Sequence, residues 1–303
     1  MRPEGRSGRP RDSSWNGSKG NASLRLNPSG NRAGGPASKG ATVALTEACL
    51  LDTFRRHYPE YLMEAAELGL FMVSACAFGV ILWHPASPAT ALVADGLGRR
   101  ALMGLAMGLT AIAIIYSPWG QRSGAHFNPS VTLTFWRLGK VKSWDAVFYV
   151  TAQFLGGLLG VLLTLFVLGR FVSDPAVNYV VTVPGEWGVG AAFWAEVAIA
   201  FVMMGMVLAV SNSRFSRFTG LFAGTLVFTY ITFEAPVSGM SLNPARTFAS
   251  ALPALQFPAL WVYFVAPLLG MLLAAEAYRR VGSAHCAKLH HDNPRRCIFC
   301  QEV

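Results

Sequence analysis

Ser123-Gly124-Ala125-His126-Phe127-Asn128-Pro129-Ser130-Val131-Thr132-Leu133 and Ser238-Gly239-Met240-Ser241-Leu242-Asn243-Pro244-Ala245-Arg246-Thr247-Phe248 are two versions of one phrase. Each reads Ser-Gly-x-x-x-Asn-Pro, then a small residue, then a brief apolar stretch. Asn directly before Pro marks a helix start. The Asn side chain caps, and Pro at the first helical position gives up no hydrogen bond. Neither helix has room to be long: the first ends near Arg137–Gly139, and the second meets Pro253. About eight or nine residues cover roughly 12 Å, under half of a bilayer's hydrocarbon core.

Around these segments lie six apolar stretches: Tyr61–Trp83, Ala101–Ser117, Ala146–Leu168, Ala191–Val210, Phe218–Phe233 and Phe257–Ala277. A helical span needs about 20 mostly apolar residues, so the second and fifth are short. Composition agrees with a membrane protein: 53% of residues are hydrophobic and 14% charged, with mean hydropathy +0.40. A soluble domain carries about a quarter charged residues. The net charge of +9 is spread over tails and loops with no compact basic patch. It therefore points to an anionic membrane surface and not to nucleic acid.

Six spans put both tails on one side. Most Lys and Arg residues fall in the tails and in loops Pro118–Asp145 and Ser211–Arg217, leaving Arg99, Arg100, Arg170 and Arg246 opposite. The positive-inside rule makes both tails cytoplasmic, in a cell membrane. Residues 1–58, rich in Gly, Ser, Arg and Asn at their start, read as a disordered basic tail. Residues 59–281 form the membrane domain, with repeats at about 59–170 and 188–281. Residues 282–303 are a second cytoplasmic tail.

The repeat fixes a geometry. Three spans and one Asn-Pro loop occur in each half, and Ala66-Glu67 in the first span is echoed by Ala195-Glu196 in the fourth. An odd number of spans per repeat inverts the halves in the membrane. The two half-helices then enter from opposite sides, and their N-termini can meet near the midplane. Non-helical backbone at that depth is tolerated within protein or along a watery cavity, so an aqueous path is implied.

Asn128-Pro129-Ser130 and Asn243-Pro244-Ala245-Arg246, set in an inverted six-span repeat, resemble the aquaporin and glycerol-facilitator family over roughly residues 60–280. Ser130 stands where that family usually has Ala. The resemblance implies an all-α fold of six transmembrane helices and two re-entrant half-helices, assembled as a homotetramer with a pore in each subunit. Two facing helix ends would place about half a positive charge each at the pore centre. The amides of Asn128 and Asn243 would donate to one passing oxygen, opposing proton and cation passage. Arg246 is expected to guard the outer mouth, since a charge at membrane depth usually marks a polar path.

The resemblance also implies a four-residue constriction. Counting from the motifs gives Met240 and Ile231 beside Arg246, with Met107 or Gly108 from the second span. That set matches neither a strict water channel nor a glycerol channel. Water is the expected solute, and glycerol, metalloid hydroxides, ammonia and hydrogen peroxide are the alternatives. Glu67 and Glu196 read either as a proton relay or as scaffolding for the loops' free N–H groups, and the resemblance favours scaffolding. His126 is expected to line the inner vestibule or brace its loop.

The competing class is a proton-coupled transporter in which Glu67 and Glu196 titrate. A midplane of Asn and helix ends argues against it. An enzyme lacks support, with no nucleophile–base pair, phosphate loop or paired haem histidines. No cofactor is expected in the pore. In the C-terminal tail, His285-Cys286-x-x-x-His290-His291 precedes Cys297-Ile298-Phe299-Cys300. Cys286, His290, Cys297 and Cys300 have zinc-ligand character. A disordered thiol-bearing tail or a palmitoylated one are the competing readings.

Overall fold

The computed structural model describes residues 39–291 and 297–300, with side chains from Leu50 onward. Thr46–Val303 is one compact unit; of the other, Met1–Leu45, the described part is helical backbone from Lys39. Among the described residues the regular structure is helical, with no strand. Six helices follow the expected order: Lys39–Trp83, Gly96–Tyr116, Ser143–Leu168, Gly188–Ser211, Thr219–Phe233 and Leu260–Tyr278. All but the fifth are long and apolar enough to cross a membrane by themselves. The fifth has 15 residues. A 3₁₀ turn, Ser216–Phe218, and a separate short helix, Ala235–Ser238, flank it.

Two boundaries differ from the sequence reading. The first helix begins at Lys39, well inside the stretch expected to be a disordered tail to residue 58. From Phe54 on, tertiary contacts hold it. Phe54 and Tyr61 pack on Phe148 of the third span at 5.2 and 5.0 Å between ring centroids. Buried Asp145 takes bonds from Tyr61 Oη at 2.6 Å and from His57 Nδ1 at 2.8 Å. Residues 1–38 lie outside the described residues. The second span starts at Gly96 instead of Ala101, because Asp95 caps it by accepting from the Gly98 N–H at 2.6 Å.

The half-helices are Pro129–Arg137 and Pro244–Ala254. The second runs through Pro253 and stops one residue later, with Leu255 left-handed at φ 52°. A proline this close to the C-terminus removes one bond without ending the helix outright. Packing is two-fold in pattern. The fourth span lies on the sixth and the second on the fifth. Each half-helix packs on the last span of the other repeat: the second on the third span, the first on the sixth. First and third spans meet through glycine, since a Cβ on Gly156 would stand 2.0 Å from the Ala65 carbonyl oxygen. Large apolar side chains such as Phe166, Trp194, Leu62 and Leu159 face outward. That is the surface a bilayer would cover.

Candidate functional site: two capped half-helices across a cavity

Each half-helix begins at its asparagine in extended conformation. Asn128 Oδ1 accepts from Ser130 N at 2.9 Å; Asn243 Oδ1 accepts from Ala245 N at 3.0 Å and Arg246 N at 3.2 Å. The amide nitrogens cross to the opposite loop. Asn128 Nδ2 donates to the Leu242 carbonyl at 2.8 Å, and Asn243 Nδ2 to the Phe127 carbonyl at 2.7 Å. The two helix ends are thereby tied together, in the order the inverted repeat requires. An amide group carries two N–H donors. One per asparagine is spent on this tie, and a second remains on each.

The loops before the asparagines are strained in matching places. Ala125 and Phe127 in the first loop, and Met240 and Leu242 in the second, have positive φ of 30–58°. Such a conformation costs a non-glycine residue about 1 kcal/mol or more, and persists when its surroundings fix it. Buried carboxylates fix it here. Glu196 accepts from Ser238 Oγ (2.8 Å), Ser241 N (2.6 Å) and Leu242 N (2.8 Å). In the first repeat the same work is divided. Glu67 accepts from Ser123 Oγ at 2.7 Å alone. Glu64 accepts from His126 N (2.9 Å), Phe127 N (2.7 Å) and Gln153 Nε2 (2.7 Å). The sequence echo had pointed to Glu67 and missed Glu64. The available signal was position: Glu64 lies three residues before Glu67, on the same helix face. Tyr149 and Tyr263 complete the symmetry, donating to the Ser123 and Ser238 carbonyls at 2.7 and 2.6 Å.

A cavity of about 410 Å³ runs past both asparagines. Met107, Ile231, Met240 and Arg246 all line it, as do Phe71, Arg100 and His126. Of the two candidates from the second span, Met107 faces the cavity. Gly108 packs away from it, where a Cβ would stand 2.6 Å from the Gly224 carbonyl. Arg246 Nη1 is buried with no protein acceptor. The Ser130 hydroxyl is fully buried and likewise makes no hydrogen bond, so the local bond its size would permit is absent. Glu234, just past the fifth span, is pushed from the usual carboxylate range up to about 7, first by burial and then by the nearby Glu196 carboxylate.

His126 braces its loop. Its Nδ1 pairs with Thr132 Oγ1 at 3.0 Å, and its Nε2–H donates to the Ala287 carbonyl of the C-terminal tail at 2.6 Å. That tail is packed where the sequence allowed disorder: Ala287, Leu289, Ile298 and Phe299 are buried in the same core as the spans. The metal-ligand set read from the sequence changes in one member. Cys286, Cys297 and Cys300 gather with His291, and His290 instead lies edge-on to Tyr116, 5.0 Å between centroids. Consecutive residues of an extended segment point to opposite sides, so only one of the two histidines can face the thiols.

The profile of the family described as Major intrinsic protein matches residues 56–278. Probable aquaporin AqpM of Archaeoglobus fulgidus is 37% identical over 191 residues, covering 60% of this chain and 77% of that one. Probable aquaporin NIP7-1 of Arabidopsis thaliana is 30% identical over 181 residues, 57% of this chain and 62% of that one. The chain thus spans somewhat under two thirds of that plant relative. The aquaglyceroporin of Plasmodium falciparum is alike in fold, with TM-score 0.61 at 18% identity over 74% of this chain and 96% of that one. With the family profile matched over most of the chain, paired Asn-Pro loops included, this chain belongs to the major intrinsic protein family and is a multi-pass membrane channel, not an enzyme.

Proposed function

We propose that the chain is a passive channel for water that also admits small uncharged solutes, and that Asn128, Asn243 and Arg246 exclude protons and ions. The observation that carries this reading is the spare donor inventory. Each asparagine keeps one amide N–H after its cap and its tie, and Arg246 Nη1 has no protein acceptor beside the same cavity. A water arriving at the midplane would accept from both asparagines and turn its hydrogens outward. Opposed helix N-termini add a positive field that a cation must climb. An uncharged solute meets no such barrier. Permeation by this route uses no cofactor.

Met107, Ile231 and Met240 make the rest of the lining beside Arg246 apolar and, at two positions, flexible. This supports a constriction less selective for water than one with a histidine donor, and it keeps glycerol, ammonia, hydrogen peroxide and metalloid hydroxides as further solutes. Proton coupling is disfavoured, since both Glu196 oxygens are already engaged by loop donors. Charge distribution supports cytoplasmic tails in a cell membrane, and the apolar outer faces are available to lipid or to neighbouring subunits of a homotetramer.

The test is stopped-flow light scattering of proteoliposomes, comparing osmotic steps in sucrose and glycerol, for the wild type and Arg246→Ala. Shrinkage in sucrose faster than that of empty liposomes, and needing no ion or proton gradient, is expected, with Arg246→Ala raising glycerol entry and ion leak. Flux no faster than empty liposomes from folded protein lacking residues 282–303 would overturn the reading.

A further inference from the structure

The described parts of the C-terminal tail, residues 284–291 and 297–300, have no regular helix or strand, yet much of them is buried. Lys288 is 1% exposed, Cys297 2%, Phe299 4% and Leu289 5%. A short irregular strap with so few apolar residues does not repay its ordering entropy by burial alone. Small irregular elements of this kind are commonly held by a staple.

A staple is available in its donor set. One atom each from Cys286, His291, Cys297 and Cys300 lie within 4.8 Å of one another. Cys286 Sγ and Cys297 Sγ are 3.4 Å apart, and His291 Nε2 is 3.1 Å from Cys300 Sγ. The edges of a tetrahedron around zinc, with Zn–S near 2.3 Å and Zn–N near 2.1 Å, are roughly 3.6–3.8 Å. Movements of a few tenths of an ångström bring these pairs to that length. The sulfur pair is too far apart for a disulfide, whose bond is about 2.05 Å. Three thiolates and one imidazole form a soft, four-member donor set, the kind that closes structural zinc sites. Cys297 and Cys300 supply the two-residue spacing, with Ile298–Cys300 in a turn.

The strap's other side lies on the pore. The Phe299 ring stacks on His126 at 5.6 Å and 10°, sandwiching that ring against Phe135 at 5.2 Å and 16°. Lys288 Nζ donates to the Gln121 carbonyl at 2.8 Å, and Leu289 N to the Gly124 carbonyl at 3.1 Å. His285 N donates to Asn212 Oδ1 at 2.8 Å, fastening the strap to the loop after the fourth span. Leu289 itself lines the cavity that reaches Arg246.

We propose that Cys286, His291, Cys297 and Cys300 bind one Zn²⁺, and that this site holds the strap over the tail-side mouth of the pore so that the metal restricts flux through the channel. Binding displaces the three thiol protons to solvent and forms three Zn–S bonds and one Zn–N bond; nothing is oxidised or reduced. Metal loss frees the strap to lift, taking Leu289 and Phe299 from the mouth. The metal half stands by itself, and the gating half rests on the channel reading above.

Full-length protein, purified without chelator, should carry one zinc per chain by plasma mass spectrometry. Cobalt substitution should give tetrahedral d–d bands with thiolate charge transfer. Cys297→Ser and His291→Ala should lose the metal, whereas His290→Ala should keep it. In proteoliposomes, chelation should raise water flux several-fold, added zinc should reverse this, and Phe299→Ala should speed flux with zinc still bound. Full-length protein that takes up no zinc from a zinc-supplemented preparation and gives no cobalt spectrum, or that carries a Cys286–Cys297 disulfide instead, overturns the site. Zinc bound stoichiometrically with flux unchanged on its removal overturns the gate. Full-length protein that conducts no faster than empty liposomes both with and without zinc counts against the channel reading, and the metal stoichiometry then decides the site alone.

Discussion

Glu64→Gln and Glu67→Gln separate the scaffold seen in the structure from the one suggested by the repeat. Glu64 accepts three hydrogen bonds: His126 N on Oε1, Phe127 N and Gln153 Nε2 on Oε2. A glutamine amide can keep one oxygen, and its best choice is to leave it facing Phe127 and Gln153. The His126 N–H then confronts an NH₂ group inside the protein, an unsatisfied pair costing about 1–3 kcal/mol. The two surviving bonds lose their charge, worth about 1 kcal/mol each. The total is about 3–5 kcal/mol. Glu67 accepts only from Ser123 Oγ, and its other oxygen has no hydrogen-bond partner, so Glu67→Gln costs about 1 kcal/mol. At about 2–4 °C per kcal/mol for a chain of this size, Glu64→Gln should melt about 10 °C lower in detergent or nanodiscs. Glu67→Gln should lose about 2–4 °C by the same conversion. Thermal unfolding followed by intrinsic fluorescence reads both. A Glu67→Gln loss equal to or larger than that of Glu64→Gln refutes the division of labour.

Ser130→Ala removes a buried hydroxyl with no hydrogen bond and should stabilise by about 1–2 kcal/mol, raising the melting temperature with water flux unchanged. Gly156→Val sets a Cβ 2.0 Å from the Ala65 carbonyl oxygen and forces the first and third spans apart. It should cost more than about 3 kcal/mol and abolish the monodisperse size-exclusion peak; a normal peak and melting curve contradict the packing. Glu234 has a folded pKa of about 7, above the ordinary 4.5, so the folded state binds the extra proton. Its stability is highest below pH 4.5 and falls as pH rises through 7. Glu234→Gln should therefore match the wild type at pH 4.5 and exceed it by about 1–3 kcal/mol at pH 8, measured by melting at both pH values. An equal difference at the two pH values argues against a buried, titrating carboxyl.

What the sequence determined by itself is what is local. Six apolar runs, the short half-helices and their start points follow from hydropathy and from Asn-Pro pairs whose capping needs only neighbouring residues. The inverted pairing followed from counting spans between the two motifs. What the tertiary structure decided are choices between neighbours that composition cannot rank. Met107 faces the cavity and Gly108 the fifth span; Glu64, not the echoed Glu67, holds the loop N–H groups; His291, not His290, faces the three thiols. From Phe54 on, the first helix is fixed by Phe54, His57 and Tyr61 meeting a third span about ninety residues away in sequence. Met107 and Gly108 differ by a rotation of roughly 100° about the helix axis, Glu64 and Glu67 by about one helical turn, and His290 and His291 by one step along an extended strap. Each choice is set by what packs on the other side, which only the folded chain contains.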